Sequence, residues 1–200
     1  MALKFIPILN SSAGATLSFF QWEKTGSTHF AFDVLSLLQR PGLTAFKLKA
    51  PGFKIVDCSH LTLNAKKQVR FKTTDGSFKT VEMSDFLNWL QSIGADAVVW
   101  PYTDITPDLP LWTEGLVSDT PAHDAHQGIF YDNAHLANIL DKQFEKDLSL
   151  LSPDCQCETC SAGFTRAYLH HLLQHTPLLA QRFLVVHNVF FSQLHGIRAE

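Results

Sequence analysis

The sequence lacks any uninterrupted apolar run of about 18 residues, the length a membrane-spanning helix requires. Its nearest approach, Phe183 to Phe191, is broken by His187 and Asn188, so no membrane span is expected. The N-terminal stretch carries one lysine and a short apolar run interrupted by Pro7 and Asn10. That is a poor match to the charged segment and apolar core of a secretory leader, and no signal peptide is read. Excess charge is also missing: 16 Lys and Arg against 19 Asp and Glu give a formal net charge of −3. No molecule-wide positive field exists to draw in a nucleic-acid backbone, so any such contact has to be local or shared with a partner. Cysteine is scarce. Of four cysteines, Cys155, Cys157 and Cys160 lie close together and Cys58 stands far upstream, unlike a secreted disulfide framework. A reducing, cytoplasmic setting is the expectation. Internal repeats, low-complexity tracts and an interdomain linker are absent too.

What remains is an ordinary globular composition, 46% hydrophobic over 200 residues, enough to bury a core. Candidate strands rich in Val, Ile and Phe are Phe5 to Leu9, Phe30 to Leu35, Lys54 to Asp57 and Ala97 to Tyr102. Between them Thr16 to Lys24 and Met83 to Ile93 read as helices, the latter with Phe86, Leu87, Leu90 and Ile93 at helical spacing and Ser84 as its N-cap. Strands alternating with helices point to a parallel α/β sheet. Gln68 to Thr73 and Phe78 to Glu82 flank Asp75-Gly76, a β-hairpin signal inserted into that rhythm. Thr103 to His126, studded with prolines, reads as loop with one strand at Leu116 to Ser118. Two helices follow, from Arg166 to Pro177 and from Leu178 to Gln193.

The sharpest local signal is Cys155-Gln156-Cys157-Glu158-Thr159-Cys160. Thiolates spaced one and two residues apart can converge on one ion without closing a long loop. His187 is the fourth ligand candidate, because it follows the helical segment inside an apolar run where an unpaired imidazole is costly. Four protein ligands make a closed, structural zinc site with no open position for water activation. The competing reading, three reduced thiols in a polar turn and a core histidine with its hydrogen bonds met, needs no metal. His170, His171 and His175 are expected on an exposed helix face, and Cys58 as a small buried hydrophobe.

These cysteines, followed by Thr165-Arg166-Ala167-Tyr168-Leu169-His170-His171-Leu172 and Val186-His187-Asn188, resemble the zinc subdomain of the tRNA-guanine transglycosylase (queuine tRNA-ribosyltransferase) family. One extra residue lies between Cys160 and Arg166. Upstream, Leu37 to Gly42 with its Arg-Pro-Gly ending, Val69-Arg70-Phe71 through Asp75-Gly76-Ser77, and Gly94 to Ala97 leading to Thr106-Pro107 are similar to family landmarks in the same order. The resemblance implies exchange of guanine for a 7-deazaguanine base through a covalent ribosyl-aspartate, with a second aspartate as general acid/base. Asp57 matches the acid/base and Asp119 the nucleophile, although a loop aspartate before Pro121 is an equally simple reading of Asp119.

The departures concern the same chemistry. Cys58-Ser59-His60 replaces the Ser-Gly-Gly that lets backbone approach the base. Alignment on Thr106-Pro107 puts Thr103 at the base-reading aspartate, with Asp104 next to it as the substrate-binding candidate. Family Gly-Gly segments and around three barrel strands have no counterpart, and the family's arginine-rich stretch becomes Ala122 to Gly128, which removes phosphate-contacting charge. A full barrel needs about 200 to 250 residues. The expected architecture is therefore an incomplete (β/α) TIM-type barrel over 1–147, with an inserted β-hairpin, and a C-terminal zinc-binding helical subdomain over 148–200. Two functions stay open: catalytic base exchange at a tRNA guanine, or a non-catalytic zinc-containing accessory or tRNA-binding subunit. Either implies one structural zinc per chain, tRNA contact that is weak for the isolated chain, and a homodimer or a heteromer with a transglycosylase-like subunit.

Overall fold

The computed structural model describes residues 5–44, 46–133 and 136–196. Its strands in chain order are β1 (Phe5–Pro7), β2 (His29–Asp33), β3 (Phe53–Asp57), β4 (Thr62–Leu63), β5 (Val69–Lys72), β6 (Phe78–Val81), β7 (Ala97–Val99), β8 (Leu116–Ser118), β9 (Ile129–Tyr131) and β10 (Leu136–Asn138). The helices are α1 (Phe19–Glu23), α2 (Val34–Gln39), α3 (Met83–Ser92), α4 (Thr120–His126), α5 (Glu158–Ser161), α6 (Arg166–His175) and α7 (Pro177–His195). They form two compact units, one of Met1–Pro7, Ser12–Thr28 and Gly115–Glu200, the other of Ile8–Ser11 and His29–Glu114. The class is mixed α/β with parallel sheets, as the alternating pattern predicts.

In the unit spanning His29–Glu114, β2, β3 and β7 are parallel in the order β2-β3-β7, with Asp33 opposite Asp57 and Asp57 opposite Val99. Phe30, Ala31, Ile55, Val56 and Val98 are fully buried. Such near-continuous apolar runs mark parallel strands covered on both faces. Helix α3 buries Phe86, Trp89 and Leu90. The inserted hairpin is present as β5 and β6, and β4 adds a third antiparallel strand. Its turn places Gly76 at φ 88°, a backbone conformation that favours glycine.

Three sequence expectations shift here. The second strand ends at Asp33 rather than Leu35, because the Asp33 carboxylate accepts from the Ser36 N–H at 2.7 Å and starts α2 at once. The strand expected to reach Tyr102 stops at Val99, ahead of Pro101. Helix α3 begins one residue before Ser84, with Glu82 at the N-cap position.

In the other unit β1 pairs with β8 in parallel and β9 with β10 in an antiparallel hairpin. The strand at Leu116 to Ser118 forms as expected, but the loop expected through His126 contains α4. Pro121 lies in the first turn of α4, where its missing N–H costs nothing. The expected helix from Thr16 is split into a 3-10 turn at Gly14–Thr16 and α1. At the start of α1 the Gln21 side chain accepts from the Ser18 N–H at 2.9 Å. Between α4 and β9, Gly128 has φ 81°, and a Cβ there would meet Leu173 Cδ2 at 2.9 Å and Asn138 Oδ1 at 3.0 Å. A side chain at that position would strain the backbone and force Leu173 and Asn138 to shift.

Candidate metal centre

The site is assembled from one short segment and one long helix. The Cys155 N–H donates to Ser152 O at 3.2 Å, turning the chain so that Cys157 becomes the N-cap of α5. The Cys157 sulfur accepts from the Cys160 N–H at 3.4 Å. The thiol of Cys160, one turn along, then faces the same point. Helix α5 has only four residues and would not persist alone. Thr159 pins it by donating to Phe183 O of α7 at 2.7 Å.

His187 comes from the middle of α7, not from the exit of the helical region where the sequence puts it. The helix runs unbroken from Pro177 to His195, and its buried face carries Leu184, Val186, His187 and Phe191. The imidazole is fully buried. Its Nδ1 lies 3.6, 3.5 and 3.4 Å from the sulfurs of Cys155, Cys157 and Cys160. Its Nε2 donates to the Tyr131 carbonyl at 2.7 Å, which fixes the tautomer and leaves the Nδ1 lone pair aimed at the thiols.

The next residue grips the same strand. Asn188 Oδ1 accepts from the Tyr131 N–H at 3.1 Å, while its Nδ2 donates to Pro121 O at 3.1 Å and Ile129 O at 2.9 Å. Consecutive side chains thus tie α7 to both backbone groups of Tyr131 and to the start of α4. Arg166 ties together the chain on either side of the cysteine segment, donating to Asp132 at 2.9 Å, Asp147 at 3.3 Å and Leu151 O at 2.8 Å.

All four donor atoms lie within 4.8 Å of one another. A tetrahedral ion with metal–sulfur distances of about 2.3 Å and metal–nitrogen of about 2.0 Å has sulfur–nitrogen edges of about 3.5 Å, and the observed separations match. Without a metal the cluster partitions protons internally. Hydrogen bonds from Cys155 and then Cys157 hold the Cys160 thiol far below its usual range, while those from Cys155 and Cys160 push Cys157 up. For His187 burial works against protonation, but hydrogen bonds to Cys155 and Cys160 outweigh it and raise the imidazole to about 9. A cation in the centre takes the place of that proton.

The remaining candidates each have local surroundings of their own. Asp57 ends β3, is 7% exposed, and accepts from the Ser59 N–H at 2.9 Å. Asp119 is half-buried at the N-cap of α4, where its carbonyl accepts from the N–H groups of Ala122 at 3.1 Å and His123 at 2.9 Å. The two aspartates fall in different units. Thr103 and Asp104 are both exposed, and Asp104 is paired with Lys67 at 2.6 Å. The Lys67 hydrogen bond holds the Asp104 carboxyl below the usual carboxylate range. Cys58 is fully buried, as expected, and burial, followed by the charges of Asp57 and Asp33, pushes its thiol far up. It stays protonated and inert.

His171 and His175 are exposed as expected. His170 is buried instead, beside a cavity of about 530 Å³ shared with Lys142, Glu145 and Gln174. Sequence reasoning missed Tyr131, whose contribution is a backbone carbonyl and leaves no side-chain trace. It also passed over Asn188. An amide inside an apolar helix face is as costly as an imidazole unless partnered, and that cost was the available signal.

Residues 116–198 match the sequence model of a family described as queuine tRNA-ribosyltransferase. Similar proteins include the queuine tRNA-ribosyltransferase of Xanthomonas campestris pv. campestris, 34% identical over 73 residues that make up 36% of this chain and 19% of that protein. The enzyme of the same name from Francisella tularensis subsp. mediasiatica is 36% identical over 73 residues, 36% of this chain and 20% of that protein. The chain spans about a fifth of the length of the curated relatives it matches. Residues 116–198, which hold all four side chains of the candidate metal centre, are thus similar to the queuine tRNA-ribosyltransferase family, at a divergent level of identity.

Proposed function

We propose that this chain is a transglycosylase-like protein of tRNA queuosine modification that acts as a zinc-containing accessory or tRNA-binding subunit. The observation that carries the reading is the complete Cys3His cluster, against which the reacting-residue candidates have only local or solvent-facing partners. Asp104, the base-binding candidate, is exposed and paired with Lys67. Side chains also replace glycine at Cys58-Ser59-His60, where close backbone approach to a bound base is needed. Zinc is the ion that three thiolates and one imidazole at tetrahedral spacing suit. One structural ion per chain would be held by Cys155, Cys157, Cys160 and His187, contributing folding energy and no reaction step.

On this reading residues 1–147 derive from a partial (β/α) barrel and 148–200 form its zinc-binding subdomain, within a cytoplasmic protein. The parallel β2-β3-β7 sheet and the parallel β1–β8 pair support that descent. A second copy or a transglycosylase-like subunit would cover the strand edges that a partial barrel leaves. A catalytic reading, in which Asp119 is the nucleophile and Asp57 the acid/base, is favoured by one observation. Asp57 sits at the C-terminal end of a parallel strand, where barrel enzymes place their reacting groups.

The deciding measurement is incorporation of labelled guanine into tRNA by the purified chain, alongside metal analysis. The expectation is about one zinc per chain and little or no exchange, since misplacement of a reacting group by about 1 Å costs on the order of 100-fold. Exchange at an ordinary enzymatic rate, abolished by Asp119→Asn, would establish the catalytic reading instead.

A further inference from the structure

The near-neutral total conceals a segregation of charge. Nine of the 16 Lys and Arg residues lie between Arg40 and Lys79, where Asp57 and Asp75 are the acidic residues, and none lies between Thr80 and Asp141. Five of the nine, Lys66, Lys67, Arg70, Lys72 and Lys79, belong to the β4–β5–β6 sheet or its connecting turns, and all five are exposed. Lys67 is paired with Asp104, whereas Lys66, Arg70, Lys72 and Lys79 form no ion pair among the described residues.

The strand register decides which of these share a face. Val69 and Phe71 are buried, so the alternation along β5 turns Arg70 and Lys72 outward. Arg70 lies opposite Thr62 on one side and Thr80 on the other, and Lys72 lies opposite Phe78. Phe78 is 59% exposed, and the Arg70 guanidinium lies 4.2 Å from its ring centroid. An open sheet face thus presents a flat cation lying over an aromatic ring and a second cation two residues along.

A cavity of about 340 Å³ reaches Thr74 in the β5–β6 turn and is otherwise lined by Asn10, Ser36, Leu37, Gln39 and Arg40. Arg40 is its charged wall. The Gln39 amide donates to Lys72 O at 2.9 Å, joining the cavity to the sheet.

We infer that the outer face of the β4–β5–β6 sheet binds single-stranded nucleic acid. Phe78 and the Arg70 guanidinium stack bases, Lys72 and Arg70 neutralise phosphates, and the cavity beside Arg40 takes an adjoining nucleotide. Base stacking on aromatic rings and guanidinium planes, next to cations that track the backbone, is how single strands are held without sequence readout. An acidic protein segment would use the charges and leave the exposed ring unused. The choice of RNA over DNA rests on the tRNA reading above, while the surface itself does not depend on base exchange.

The test is binding of labelled single-stranded RNA and DNA of about a dozen nucleotides, followed by fluorescence anisotropy across a salt series. Parent protein should bind RNA. Arg70→Ala with Lys72→Ala should weaken binding about tenfold and flatten the slope of log affinity against log salt by about 1.4, at about 0.7 per lost phosphate contact. Phe78→Ala should weaken binding about tenfold with the slope unchanged. Melting temperatures should match the parent, since all three side chains are exposed. Equal binding of DNA would keep the surface and remove the tRNA reading, and binding without guanine exchange would keep the surface and sink only catalysis. Parent protein that binds no RNA, variants that bind as the parent does, or a double variant that breaks a dimer in sedimentation while leaving RNA affinity intact would each overturn the inference.

Discussion

The segment around the Cys155–His187 cluster and the segment from Asp57 to Asp104 solve the same problem in opposite ways. Each holds polar side chains that the sequence offers for a functional site. At the cluster every functional atom is met by a distant element: His187 by three thiols and Tyr131 O, and Asn188 by Tyr131, Ile129 and Pro121. At Asp57 and Asp104 the partners are local or exposed, namely the Ser59 N–H two residues on and the solvent-facing Lys67. An arrangement determined by many distant contacts resists change, because altering one member strands the others. Local partners leave a side chain free to change at little cost. The family signal accordingly concentrates in residues 116–198.

The largest test of this contrast is removal of one thiol. Cys157→Ser should abolish metal retention and lower the melting temperature by on the order of 10 °C or more, since structural metal sites contribute several kcal/mol and each is worth about 2–4 °C in a chain of this size. A chelator should reproduce the shift in calorimetry. If neither treatment moves the transition, the cluster is held without a metal and the contrast collapses. Cys58→Ser, by comparison, should keep the metal content intact and cost only about 1–3 kcal/mol for a hydroxyl placed in an apolar site.

Next in size is Asn188→Ala, which strands the Tyr131 N–H and the Pro121 and Ile129 carbonyls. It should cost about 3 kcal/mol by denaturant unfolding. Because Tyr131 also orients His187, it should weaken metal binding roughly 10- to 100-fold in a competition titration. Arg166→Met should follow at about 2 kcal/mol, less than a fully buried charge because solvent reaches the network at Asp147.

Acid should act on that same network. Hydrogen bonds from the Ser149 side chain and then its N–H, aided by Arg166, hold the Asp147 carboxyl below the usual range. A depressed carboxylate contributes stability that is present above its unfolded value of about 3.9 and lost as pH falls through the folded one. The parent should therefore lose more stability than Arg166→Met on acidification below about pH 4. The smallest effect belongs to the other region: Asp104→Asn should leave the melting temperature unchanged, and a clear drop would show that segment to be more constrained than its exposure implies.

Legibility in the sequence followed the range of the contacts. Strand β3, helix α3 and the hairpin about Asp75-Gly76 were readable because period and turn chemistry lie within a few residues. Helix α4 was not, since four prolines between Pro101 and Pro121 masked a short helix that Pro121 itself begins. The premature end of β2 at Asp33 turned on a single capping hydrogen bond that outweighed the strand preference of Val34. His170 followed the helical pattern of an exposed position, yet α6 turns it inward.

The sequence alone determined which atoms could bind a metal. Thiols one and two residues apart converge through the local backbone, and an imidazole beside an amide in an apolar helix must find partners. Only the tertiary structure decided which partners those were: the Tyr131 carbonyl that selects the His187 tautomer, the strand that Asn188 holds in place, and the acids that Arg166 joins. Each is a contact across tens of residues, created when separate elements pack. A backbone carbonyl has the same composition at every position, so its selection leaves nothing in the sequence to read.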